Sequence, residues 1–162
     1  NTITYYLMLL YMSYHNCNYL FLHENQRDGT TWSNLPTLQS SRRECYITII
    51  NSKLVFSSTE THESVNVRMI IPTLNYTSSS NDSPIVAILS TSDKKIYEIQ
   101  HTNEIHLLTN DALKKCEFIL EDNNGASITI DAGDSLEIMI KIDYVDQAKQ
   151  TESYLSELPK HL

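Results

Sequence analysis

Residues 135–145 read SLEIMIKIDYV, and no other run limits the fold as tightly. Leu136, Ile138, Ile140, Ile142 and Tyr144 occupy every second position, with Glu137, Lys141 and Asp143 between them. Side chains alternate across a strand but recur at 3.6 residues around a helix, so this order fits a strand with one face in a core and the other in water. Met139 and Val145 interrupt the polar face and point to a second contact there. Upstream, Cys116, Phe118 and Leu120 alternate with Glu117, Ile119 and Glu121 in the same way. Asn124-Gly125, between the two runs, supplies the positive φ angles of a tight primed turn, which is a hairpin device.

The same period continues through 44–146. It predicts strands at 45–50, 53–57, 64–71, 85–90, 95–100, 105–108, 115–121, 126–130 and 135–145. Turn chemistry separates them at Asn51-Ser52, 57–60, 75–84, Ser92-Asp93, Thr102-Asn103 and 123–125. Short strands with corners at about 8–12 residues describe an antiparallel β-sandwich, and a jelly roll in particular. Only 3 glycines and 20% charged residues, beside much Ser, Thr, Asn, Ile and Tyr, agree with an all-β class. At 162 residues the chain is long enough for one domain with its own core. Residues 1–43 read differently, as an aromatic opening and a polar connector containing Asp28-Gly29 and Leu35-Pro36 that together make an extended N-terminal arm. Residues 147–162 form a short C-terminal tail, with Asp146 as a helix N-cap candidate and Pro159 as a stop.

A formal charge of −8 argues against nucleic acid as a partner, because neutralising phosphates takes clustered Lys and Arg. The basic residues come only in pairs, at Arg42-Arg43, Lys94-Lys95 and Lys114-Lys115, as solvated strand ends do. Cys17, Cys45 and Cys116 are too few and too scattered for a disulfide scaffold or a tetrahedral zinc site. Reduced thiols are expected, with one disulfide and an odd cysteine as the alternative. The apolar stretch 5–12 lacks a preceding basic flank and is shorter than the roughly 20 residues that span a bilayer, so neither a signal peptide nor a membrane span is expected. Asn75 and Asn81 fit the glycosylation sequon, in a chain so rich in Asn and Ser that such matches arise by chance.

No arrangement of reactive groups emerges. His15, His23, His62, His101, His106 and His161 lack the i, i+4 spacing or paired carboxylates of a metal site. Neither a nucleophile elbow nor a glycine-rich phosphate loop is present. Asp131 and Asp134, with Glu121-Asp122, have oxygen ligands that suit calcium, but they lie in turns, where such residues bond the backbone. The expectation is therefore no catalytic residue, no cofactor, no metal and no small-molecule substrate. Ten tyrosines beside a single Trp point instead to contact surface, because the ring buries area while the hydroxyl keeps a partner. The interface candidates are Tyr5, Tyr6, Leu9, Leu10, Tyr11, Tyr14, Tyr19, Phe21 and Trp32.

FILEDNNGASITI followed by DSLEIMIKIDY, with IPTLNY and SPIVAILSTS upstream, resembles the C-terminal half of jelly-roll capsid components of large double-stranded DNA viruses, penton and minor capsid proteins among them. In that group a hairpin of the form F-x-L-x-D-x-x-G leads into a long final strand. Phe118, Leu120, Asp122 and Gly125 occupy the pattern here. The resemblance covers about residues 44–145 and leaves the aromatic arm outside it. It implies a non-enzymatic structural protein of the virion, made in the host cytoplasm or nucleus, whose partners are other copies of itself and other capsid proteins. The alternative is a secreted or surface β-sandwich module that binds a partner protein.

Overall fold

The computed structural model describes residues 17–33, 35, 43–71 and 84–145. These form an all-β fold, an antiparallel sheet nearly closed into a barrel. In chain order the strands are β1 (Cys17–Leu22), β2 (Arg27–Asp28), β3 (Thr31–Trp32), β4 (Cys45–Val55), β5 (Ser64–Ile70), β6 (Ile85–Ser90), β7 (Ile96–Thr102), β8 (Ile105–Leu107), β9 (Cys116–Glu121), β10 (Ser127–Ile128) and β11 (Ser135–Tyr144). Around the barrel they run β1-β11-β4-β7-β6-β5-β9-β3-β2, with β10 on β9 and β8 on β4.

The alternation in β11 sets the core. Leu136, Ile138, Ile140 and Ile142 are fully buried, each worth about 1.5–3 kcal/mol relative to exposure. β11 lies between β1 and β4, with Leu20 opposite Ile140 and Ile47 opposite Ile142. Trp32 and Phe118 meet edge to face at 5.9 Å, and Phe56 meets Tyr97 in the same way at 5.4 Å. Both geometries favour the ring quadrupoles.

The structure departs from the sequence reading in three places. Cys17–Leu22, expected in an extended arm, pairs along its length with β11 and buries Leu20 and Leu22, and β2 and β3 also belong to the sheet. The expected turn at Asn51-Ser52 is instead a bulge inside one continuous β4. There Met139 faces Asn51 and Ile140 faces Ile49, which leaves Ile50 as an extra residue. The bulge changes the phase of the strand: Cys45, Ile47 and Ile49 point inward before it, Ser52 and Leu54 after it, so Lys53 stays in water. At 123–125 only Gly125 has a positive φ, +79°. A primed turn would need Asn124 there as well, so the loop is instead a wider one. Asp122 N–H donates to the Ala126 carbonyl, and the Asp122 carboxylate accepts from the Asn124 and Ala126 amides.

The two ends of the sheet, β1 and β2, are consecutive in sequence, joined through the 3-10 turn Glu24–Gln26. A polar clasp fixes this junction. Glu24 Oε2 accepts from Arg27 Nε at 2.6 Å and from the Leu136 amide at 2.6 Å. The Arg27 guanidinium also donates to the carbonyls of Asp134 (2.9 Å) and Gly29 (2.8 Å). Asp134, itself buried, accepts from Ser57 N–H at 2.7 Å on one oxygen and from Asp131 N–H at 2.8 Å on the other. Gly133, with φ +97°, makes the turn that presents this carboxylate. Trp32 Nε1 completes the seam by donating to the His23 carbonyl at 2.8 Å.

Burial pulls both carboxyls toward higher pKa, but their hydrogen bonds outweigh it. The Arg27 guanidinium and the Leu136 amide hold Glu24 below its ordinary value, and the Ser57 and Asp131 amides do the same for Asp134. Because the folded values are depressed, the stability they contribute is complete above the ordinary carboxylate range and is lost as pH falls through the folded values. We predict that Asp134→Asn costs about 1–3 kcal/mol at neutral pH, by weakening two charge-assisted bonds. The variant should also lose less stability than the parent between pH 5 and about 3. Denaturant titrations at several pH values check this, and parallel pH profiles would remove Asp134 from the clasp.

Candidate interaction surface

The outward faces of β1, β11, β4 and β7 follow from the register. Cys17, Asp143, Tyr46 and His106 of β8 form one row, and Tyr19, Lys141 and Thr48 the next. Phe21, Met139 and Asn51 come after these, then Glu137, Lys53 and Glu98, then Ser135, Val55 and Ile96. Five large apolar side chains stand well out into solvent among the described residues, and four of them lie on this face: Tyr19 (57% exposed), Ile50 (43%), Ile96 (38%) and Tyr46 (37%). The fifth, Leu108, follows β8. Ile50 is outward because of the bulge, which sends two successive residues to the same side.

Next to the bulge, Phe21 and Met139 wall a hollow of about 150 Å³ whose other sides are Asn51, Lys53, Glu98 and Glu137. Tyr46 stacks on His106 with centroids 4.7 Å apart, and the His106 ring bonds the Glu44 carboxylate. Lys141 pairs with Asp143 at 2.8 Å. The apolar groups of the opposite outer face, Ile70, Ile85, Ile88 and Ile119, are half-buried. There Arg68 of β5 reaches Glu121 of β9 at 2.7 Å, flanked by Asn66 and Glu117.

Of the candidates read from sequence, Tyr19 and Phe21 project from this face, Phe21 with its ring 4.1 Å from His23. Trp32 does not. It is fully buried against Phe118 with its indole N–H satisfied inside the fold, so it offers nothing to a partner. Tyr5, Tyr6, Leu9, Leu10, Tyr11 and Tyr14 lie outside the described residues, as do Asn75, Asn81 and the C-terminal tail. Met139, which interrupts the polar face of 135–145, also lies here, whereas Tyr46, Ile50 and Ile96 were missed. The signal for Ile50 was the adjacent pair Ile49-Ile50, which breaks strict alternation.

At one end of the barrel a polar hollow of about 460 Å³ is lined by Glu63, Ser64, Ser92, Lys94, Gln100 and Asn123. His62 sits beside it, 3.9 Å from Glu60 and 4.0 Å from Asp122. Asp131 and Asp134, the calcium candidates, are joined to each other through the Asp131 amide. Among the described residues, no three His, Cys, Asp or Glu side chains gather as metal ligands would, and no helix is long and apolar enough to cross a membrane. No protein-family model, no curated protein and no solved structure matches the chain.

All three cysteines are free thiols. Burial pushes Cys45 up to about 11, aided by the Glu44 charge, and Cys116 up to about 12, so neither carries the reactive thiolate at neutral pH. Cys17 is half-buried on the outer face of β1. We predict that a thiol reagent at pH 8 labels one site quickly on the folded chain and all three in denaturant. Mass spectrometry reads the count, and fast triple labelling of folded protein would contradict the buried placement of Cys45 and Cys116.

Proposed function

We propose that this chain is a jelly-roll structural subunit of a viral capsid, a penton or minor capsid component, which acts without catalysis through contacts with its own copies and with other capsid proteins. The nesting of the strands carries the reading. β1 pairs with β11, β3 with β9, β4 with β7 and β5 with β6. These are the rungs of one long hairpin ribbon, whose open end is β1 with β11 and whose tip is the β5–β6 connection. Rolling such a ribbon brings β11 beside β4 and β9 beside β5, and both pairings are present. Two Greek keys wound in this way make a jelly roll.

Jelly rolls also serve as lectins and cupins. The likeness of Phe118, Leu120, Asp122 and Gly125 to the capsid hairpin favours the shell role, and so does an outer face with more apolar area at its centre than a solvated sheet needs. A shell subunit requires repeating or closed interfaces. We predict that the purified chain forms discrete species heavier than its 18.6 kDa monomer, in proportions that rise with concentration. Light scattering coupled to size exclusion measures this. A single monomer mass at every concentration would contradict the proposal.

A further inference from the structure

We infer that the outer face of β1, β11, β4 and β7 is the contact surface for a second copy of this chain, packed face to face about a two-fold axis. The inference rests on the assembly reading above and assigns the contact to one surface. Three observations select a second copy as the occupant. The first is the exposure of apolar side chains: Tyr19, Tyr46, Ile50 and Ile96 stand out on this face, while Ile70, Ile85, Ile88 and Ile119 of the opposite face are half-buried around the Arg68–Glu121 pair.

The second is charge. The chain carries −8, which opposes self-association, yet this face holds Lys53 and Lys141 against Glu98, Glu137 and Asp143. The repulsion therefore concentrates elsewhere. Lys53 stands in its row between Glu137 and Glu98, so a copy turned about a two-fold axis can set its own lysine against the same acids. An isologous contact needs this self-complementarity. A strongly basic partner would find too little negative charge on the face to select it, and an acidic one would meet its carboxylates.

The third is area. Strands of 6, 10, 11 and 7 residues, at about 3.3 Å per residue and about 4.8 Å apart, present roughly 540 Å² per copy. Two copies bury about 1,100 Å², just above the roughly 1,000 Å² that a specific interface needs. The hollow beside the bulge gives the packing a recess with one apolar wall, Phe21 and Met139, across from Lys53, Glu98 and Glu137, and Ile50 projects nearby. Aligned sheets pack about 10 Å apart with such side chains interdigitated.

Sedimentation of the whole chain and three variants tests the inference. Ile50→Glu and Tyr19→Glu alter exposed positions and should keep the parent's melting temperature while weakening self-association by about tenfold or more. Ile119→Glu makes the same chemical change on the opposite outer face, where its register partner is Arg68, and should leave association unchanged. If the parent assembles and Ile119→Glu weakens it as much as Ile50→Glu does, or neither face variant weakens it, the surface is wrong while the assembly reading stands. A parent that is monomeric at every concentration removes the assembly reading as well. A parent that associates only after residues 1–16 are deleted assigns the face to that preceding segment and overturns the second-copy occupant.

Discussion

Closure of the sheet depends on the carboxylate of Glu24. β1 and β2 end the sheet at opposite sides and are separated by only a short turn, so the barrel closes through chain connectivity where β-ladder bonds are absent. Glu24 ties that turn to the Leu136 amide at the start of β11, and Arg27 ties it to the Asp134 carbonyl two residues earlier. Asp134 in turn holds the end of β4 through the Ser57 amide. One carboxylate–guanidinium pair thus orients both strands that lead into the candidate surface. Removing one member of a partly buried pair costs more than the pair contributes, because the other charge is left without a partner.

Much of the fold was readable where one face is apolar and the other polar. β5, β9 and β11 show that contrast, and their buried residues are the ones alternation names. β1 was read as an arm for the opposite reason. Cys17, Tyr19 and Phe21 face outward and Leu20 and Leu22 inward, so both faces are apolar and the period of two vanishes. In β4 the bulge reverses the phase between Ile49 and Ser52, which in sequence looks like the end of one strand and the start of another. The clasp was illegible because Glu24 and Leu136 are 112 residues apart and no local pattern links them. Trp32 and Tyr19 carry similar amphipathic rings, and only the fold sends one inward and the other outward.

These same departures mark the proposed contact surface. A strand apolar on both faces and a bulge that turns an isoleucine to solvent are costly in a monomer and useful in a subunit, where a second surface covers them. The ribbon winding places both features on adjoining strands, because β1 and β4 flank β11. Sequence, winding and surface chemistry are the three supports of the proposal that the chain works by contact.

Oxidative footprinting of side chains across a concentration series tests that claim most directly, since Tyr, Met and Phe report their own solvent contact. Oxidation of Tyr19, Tyr46 and Met139 should fall as concentration rises, while residues of the Arg68–Glu121 face, Ile119 among them, stay constant. Oxidation that stays uniform over the series, or protection confined to the opposite face, would contradict it.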